Sequence, residues 1–323
     1  MKLSVTHETR YEYAYAVEQA HHIAHLKPIA TAQQQVLSHH ISIEPKPAAL
    51  AHSMDSYGQE RVYFELATPH PELRVTAVSV VVTPTLPASM MGKLSHVTLP
   101  ESMPWEAVAE HMQYTGGQTF DAAREFAQPS PLAPVHPTFA KYASTVSANS
   151  MPVYELAKAL CHRIYEEFEY SPEATDVSTP PQEALSLKKG VCQDFAQVMI
   201  AGLRSLGLSA RYVSGYLLTQ PPPGKPRLIG ADASHAWVSV YCPSAGWLDF
   251  DPTNDCLAGE SHVTLAYGRD YSDVPPLRGV IRGGGSHELS VAVTVMPLEE
   301  TKPAATASPA TKSTQVSQSQ SQS

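Results

Sequence analysis

The stretch GVCQDFAQVMIAGLRSLG, residues 190–207, decides how the chain must fold. Within it Cys192, Phe195, Met199, Leu203 and Leu206 fall at i, i+3, i+7, i+11 and i+14, one continuous apolar helix face. Gly207 is a natural stop. Cys192 therefore sits in the first turn and points toward whatever the helix packs on. A free thiol with a pKa near 8.5 is only about 3% thiolate at pH 7. The unsatisfied N–H groups and positive end of a helix favour the anion, and a neighbouring imidazolium favours it further. The same N–H groups suit the oxyanion of a tetrahedral intermediate. Against this stands a commoner fate of cysteine, that of a small core residue. Asp194, in the same turn, is read as a carboxylate that complements the helix dipole.

Two strands and a return follow. Tyr212–Leu218 is the first strand, ended by Pro221-Pro222-Pro223-Gly224, and His235–Tyr241 is a seven-residue alternation. Cys242–Gly246 turns the chain, and Trp247-Leu248-Asp249-Phe250-Asp251 returns it until Pro252. Taken as a five-residue loop, Cys242–Gly246 sets Tyr241 opposite Trp247, Ser239 opposite Asp249 and Trp237 opposite Asp251. His235 and Asp251 become diagonal neighbours on one face, within reach of a hydrogen bond. A slip of one residue would separate them. In that register Asp251 fixes the imidazole tautomer and leaves the other ring nitrogen for Cys192, the logic of a Cys-His-Asp triad. Asp249 shares the face and is the rival acid; Asp251 ranks first because it holds the diagonal to His235. The plainer readings are a structural strand histidine and an aspartate that merely starts a turn.

Taken together, these segments resemble bacterial transglutaminase-like proteins. Gly190–Ala196, Arg204–Gly207 and Ala210–Tyr216 look like that family's nucleophile helix and next strand. His235-Ala236-Trp237 resembles its histidine strand, and Trp247–Asn254 its aspartate strand, where the acid before Pro-Thr completes the triad. The opening His7-Glu8-Thr9-Arg10-Tyr11-Glu12-Tyr13 looks like the β domain that accompanies this bacterial subfamily, and Tyr267–Val274 like its segment after the core. The resemblance implies a papain-like α+β core, with the cysteine helix packed on an antiparallel sheet that carries histidine and aspartate. It leaves the reaction open, since related members include amine-transferring cross-linkers, proteases and other amide hydrolases. Some animal transglutaminases need calcium, but no EF-hand-like loop is present here, so neither metal nor cofactor is expected.

Residues 1 to about 85 read as β, from period-two spacing at Leu3, Val5 and His7, at Tyr11, Tyr13 and Tyr15, and at Val78, Val80 and Val82. Helices are expected around Pro104–Gln113, Thr119–Ala127, Val153–Phe168 and just after Thr179-Pro180-Pro181-Gln182. The stretch 255–286 reads as loop-rich, with Gly283-Gly284-Gly285 near its end, and a clean strand follows from His287 to Val295. The expected organisation is an N-terminal antiparallel β-sandwich or barrel over 1–95, a helical connector over 96–150, a transglutaminase-like core with a C-terminal strand over 151–297, and a disordered tail over 298–323.

The bulk numbers narrow the function. A formal net charge of −9 over 323 residues, with no Lys/Arg run, argues against nucleic acid. No window approaches the roughly 18 apolar residues of a membrane span, and the N-terminus lacks the pattern of a secretory signal, so a cytoplasmic location is expected. Four cysteines, at 161, 192, 242 and 256, form no C-x-x-C pair. The expected partner is a peptide or protein amide substrate, cleaved by hydrolysis in the preferred reading. Amine transfer to glutamine, a non-catalytic binding module of the same fold, and a histidine-rich metal protein are the alternatives.

Overall fold

Alternation that begins at Leu3 does not stop at Tyr15. In the computed structural model, which describes residues 1–117, 119–219 and 234–298, strand β1 runs unbroken from Lys2 to Ala24. With β2 (Gln35–Glu44), β3 (Ala49–Met54), β4 (Glu60–Leu66) and β5 (His70–Val82) it forms a curled antiparallel sheet ordered β2-β5-β1-β4-β3. β1 changes neighbour midway: its first half pairs with β5 and its last five residues with β4. Register shifts between Glu12 and Val17 mark the bend. Val17, Ala20, Phe64, Leu73 and Val75 fill the resulting concavity, all buried.

The helices that follow are α1 (Trp105–Met112), α2 (Pro137–Ser144) and α3 (Val153–Glu167). After the two-residue strand β6 (Glu169–Tyr170) come α4 (Pro181–Leu187), β7 (Lys189–Gly190) and α5 (Cys192–Ser205). The region expected as a helix at Thr119–Ala127 is a 3-10 turn over Ala122–Ala127. α2 follows a Pro-rich stretch that masks it, with His136 capping the Thr138 N–H and Pro137 in the first turn.

A second antiparallel sheet is built from β8 (Ala210–Leu217), β9 (Ser234–Cys242), β10 (Gly246–Asp251), β11 (Cys256–Leu257) and β12 (His262–Gly268), in the order β11-β10-β9-β8-β12. α5 packs on it through Phe195, Met199 and Leu203, against Tyr212, Val238, Val240 and Phe250. α2, α3 and α4 close over the other side, so α5 is buried all round from Asp194 to Arg204, not on one face only. That enclosure makes Arg204 a buried cation. Its guanidinium donates to the carbonyls of Phe126, Ala210 and Arg269 and to Ser130, which ties the helix end to the 126–130 segment, to the start of β8 and to the chain just after β12. Burial lowers its pKa to about 10.

The sequence assigned the C-terminal strand to the core and marked no strand in the loop-rich residues 255–286. The structure differs on both counts. β12 is the edge strand of the second sheet, and β13 (Leu277–Gly283) and β14 (His287–Pro297) both pair with β1 of the first sheet. Gly279 pairs with His22, where any Cβ would overlap the imidazole, so a residue that weakens strand propensity is the one that fits. Gly283, Gly284 and Gly285 have φ of +88°, +83° and +67° and carry the chain past the bend in β1. The expected tail lies outside the described residues beyond Leu298, as does Pro221-Pro222-Pro223-Gly224. No described helix is long and apolar enough to cross a membrane.

The two sheets meet face to face through Leu3, Val5, Val293 and Val295 on one side and Tyr216, Val263 and Leu265 on the other. Two buried glutamines finish the contact. Gln34 donates to Thr264 O at 2.7 Å and accepts from Thr264 N at 2.8 Å. Gln59 does the same at Tyr267, at 2.9 and 2.6 Å. Side-chain amides thus stand in for a neighbouring strand along the free edge of β12. Gln34→Ala and Gln59→Ala each strand two backbone groups of β12 and are expected to lower the unfolding free energy by about 1–3 kcal/mol apiece. Urea denaturation measures this; a pair of unchanged midpoints would show that water replaces the amides at no loss.

Candidate functional site

Cys192 is the first residue of α5 and is only partly buried. The turn that presents it is held by Asp194, whose Oδ2 accepts from Val191 N at 2.8 Å and from Thr175 Oγ1 at 2.7 Å. Asp194 therefore does more than complement a dipole: it fastens the helix start. Burial raises its pKa although both hydrogen bonds oppose the shift. Gly190, at φ +152°, is required beside it, since a Cβ there would overlap the carboxylate.

The hairpin has the expected register: Tyr241 pairs with Trp247, Val240 with Leu248, Ser239 with Asp249 and Val238 with Phe250. His235 and Asp251 fall on one diagonal, and His235 Nε2 lies 2.8 Å from Asp251 Oδ2. The other ring nitrogen is left for Cys192, which is among the groups that raise the His235 pKa. Cys192 and His235 line one cleft of about 240 Å³, whose walls include Tyr271 of the core and Thr9, Tyr11 and Leu289 of the first sheet. Asp249 is engaged elsewhere, accepting from Trp237 Nε1 at 3.0 Å. Trp237 is fully buried and lies over Gly215, where no side chain would fit.

Asp251 is wholly buried and accepts five hydrogen bonds. Its Oδ1 takes the N–H groups of Thr253 and Asn254, so the turn-starting role is real as well. Its Oδ2 takes Asn254 Nδ2 at 2.7 Å, His235 Nε2, and His262 Nε2 at 3.1 Å. His262 Nδ1 accepts the Gly259 N–H, which places the His262 proton on Nε2, facing the carboxylate. Sequence reasoning missed His262 and gave Asn254 no role. His262 opens β12, in a stretch read as loop-rich; Asn254 stood in the quoted motif, and the available signal was an aspartate before proline with an amide three residues on.

The ligand-capable atoms of His235, Asp251 and His262 lie within 4.8 Å of one another. Two histidines and a carboxylate are also a metal donor set. Here the Nε2–Oδ2 distances of 2.8 and 3.1 Å are those of hydrogen bonds.

Electrostatics follow from this packing. Burial opposes the His235 imidazolium, but the charge and hydrogen bond of Asp251, with Cys192, outweigh it and raise its pKa to about 10. Burial likewise opposes ionisation of Asp251, yet both histidines hold it well below the usual carboxylate range. Burial pushes the thiols of Cys161 and Cys256 up, the latter to about 12. A raised histidine contributes stability in full below its unfolded pKa near 6.5 and loses it as pH rises through the folded value. The stability margin of the wild type over His235→Gln is therefore expected to shrink between about pH 6.5 and 10. Asp251 acts at the other end, its contribution lost only as pH falls below about 3.9. Urea midpoints at several pH values test both; a margin constant from pH 6.5 upward would mean that His235 gains no proton on folding.

The sequence and fold of the chain are similar to those of known proteins. Residues 140–252 match the transglutaminase-like superfamily and residues 3–82 the bacterial transglutaminase-like N-terminal region. An uncharacterised protein of Mycobacterium tuberculosis is 38% identical over 300 residues, covering 91% of this chain and 92% of the relative. One of Mycobacterium leprae is 31% identical, covering 92% and 99%. The chain belongs to the transglutaminase-like superfamily, in the bacterial branch that carries this N-terminal β domain. A protein-glutamine gamma-glutamyltransferase of Pseudomonas aeruginosa is 33% identical over 109 residues, which is 33% of this chain and 16% of that protein. Among solved structures, a candidate cysteine protease of Cytophaga hutchinsonii shares the fold with a TM-score of 0.67 at 18% identity, over 93% of this chain and 92% of that one.

Proposed function

We propose that the protein is a cysteine-nucleophile acyl-transfer enzyme acting on peptide or amide bonds, with hydrolysis as its main outcome. The observation that carries this reading is the buried His235–Asp251 hydrogen bond at the wall of the cleft that Cys192 enters. In the proposed cycle the proton of the Cys192–His235 pair already rests on the imidazole, and the sulfur attacks the amide carbonyl as the thiolate. His235 then returns the proton to the departing nitrogen, which leaves an acyl-enzyme. Water, deprotonated by His235, releases the acid. Asp251 orients the ring and stabilises the imidazolium, while the backbone N–H of Cys192 is the assigned oxyanion donor. His262 and Asn254 position Asp251, and Asn254 Nδ2 also lies 3.4 Å from His235 Nε2, on the side of the ring away from Cys192.

Amine transfer shares the acyl-enzyme and differs only in the second nucleophile. The similarity of part of the chain to a gamma-glutamyltransferase favours that second reading. Mass spectrometry of a glutamine peptide with and without a primary amine separates the two: a cleaved or deamidated product supports hydrolysis, and an amine adduct supports transfer. Where a substrate turns over, Cys192→Ala is expected to abolish the acyl adduct. Asp251→Asn should lower kcat/KM by about a thousandfold or more, by the logic of tautomer control. Asp249→Asn should leave it within about threefold, since the asparagine oxygen still accepts from Trp237. Equal losses at Asp249 and Asp251 would overturn the assignment of the acid.

A further inference from the structure

Among the described residues, no strand takes up the backbone groups that Leu289 and Val291 of β14 turn outward beside the cleft. The register of β14 with β1 sets Leu289 opposite Tyr11 and Val291 opposite Thr9. At the two ends of this ladder the bonds fall on even-numbered residues: Ala14 N–H donates to Ser286 O, and Leu298 N–H to Lys2 O, each at 2.9 Å. Such bonds recur at every second residue of an antiparallel pair. Glu288, Ser290 and Ala292 therefore face β1, while Leu289 and Val291 turn their N–H and C=O groups away from it. Among the described residues no strand pairs with that outer edge.

Two further features separate this edge from an ordinary sheet margin. From Leu289 to Val293 it reads Leu-Ser-Val-Ala-Val, with none of the lysines or prolines that blunt exposed edges. It is also continuous with the site, because the side chains of Leu289 and Val291, about half exposed, line the cleft that holds Cys192 and His235. The chemistry presented is a row of alternating amide donors and carbonyl acceptors at peptide spacing. Only an extended backbone matches it.

We infer that the Leu289–Val291 edge receives an extended peptide by strand addition and so delivers the acyl donor to Cys192. The inference rests on the cysteine-nucleophile reading above and adds the substrate class: an unfolded or locally extended polypeptide, recognised through its backbone, in preference to a small isolated amide. The first sheet thereby becomes half of the substrate site.

The test compares alkylation of Cys192 by an acetylated tetra-alanine chloromethyl ketone with alkylation by iodoacetamide, read by peptide mapping on the full-length protein. The ratio of the two rates isolates backbone recognition from thiol reactivity. Val291→Pro removes an edge N–H without touching the β1 ladder. It is expected to lower the ratio roughly three- to tenfold, as is N-methylation of whichever probe amide meets the edge. A ratio that survives Val291→Pro and N-methylation at every probe position overturns the inference. So does an edge occupied by a second copy, seen as a dimer in the wild type that Val291→Pro dissolves. If iodoacetamide fails to single out Cys192, the nucleophile reading falls instead. Binding of a labelled alanine peptide to Cys192→Ala, with and without N-methylation, then decides the edge by itself.

Discussion

A carboxylate with no access to water is the constraint around which the core is arranged. Burying an unpaired charge costs several kcal/mol, and the penalty is met only when the lone pairs find donors of good geometry. Asp251 meets it with five, drawn from β9, from β12 and from the turn after β10. Each donor in turn fixes something else. His235 is set at the cleft wall, His262 ties down the start of the edge strand, and the Asn254 turn ends β10. The same bond that orients the proposed base therefore also stabilises the sheet that carries it. Removing one histidine leaves a buried charge short of a partner, so structure and chemistry are lost together.

How the sheet accommodates this network comes down to a missing side chain. Gly215 faces His235 across β8 and β9, and Trp237 covers the space a Cβ would take. The rings of Trp237 and His262 meet edge to face at 5.2 Å above that gap. With any larger residue at 215, Trp237 would be displaced from Asp249 and His262 from Asp251. One glycine thus keeps the two acids on separate duties.

The parts legible in the sequence were those governed by a short period. Helical spacing located α5 and Cys192, and alternation with a five-residue loop gave the hairpin register that brings His235 to Asp251. Both rest on contacts within some twenty residues of chain. The long-range parts were not legible. His262 reaches Asp251 from a strand three places away in the sheet, β1 exchanges β5 for β4 at a bulge, and β13 contains two glycines and two arginines in seven residues. Nothing local marks Leu277–Gly283 as a strand; its pairing with Val17–Ala24 does. The burial of Arg204 escaped for the same reason, since most of the groups that accept from it, at Phe126, Ser130 and Arg269, come from distant parts of the chain.

The pairing of β1 with β13 and β14 has a consequence for the site. Chain segments about 280 residues apart lie side by side in one sheet, and the whole core is inserted between β5 and β13. The first sheet is therefore not an appendage joined by a linker: the core cannot leave it without breaking the chain's path at both ends. Its position over Cys192 is fixed by the Leu3, Val5, Val293 and Val295 contact with Tyr216 and Val263, and by the two glutamine amides on β12. β12 is also the strand that begins with His262. The interface that places one wall of the cleft and the hydrogen bond that steadies Asp251 on the other thus share seven residues of backbone. A cleft assembled from two sheets keeps its shape because the same strand answers to both.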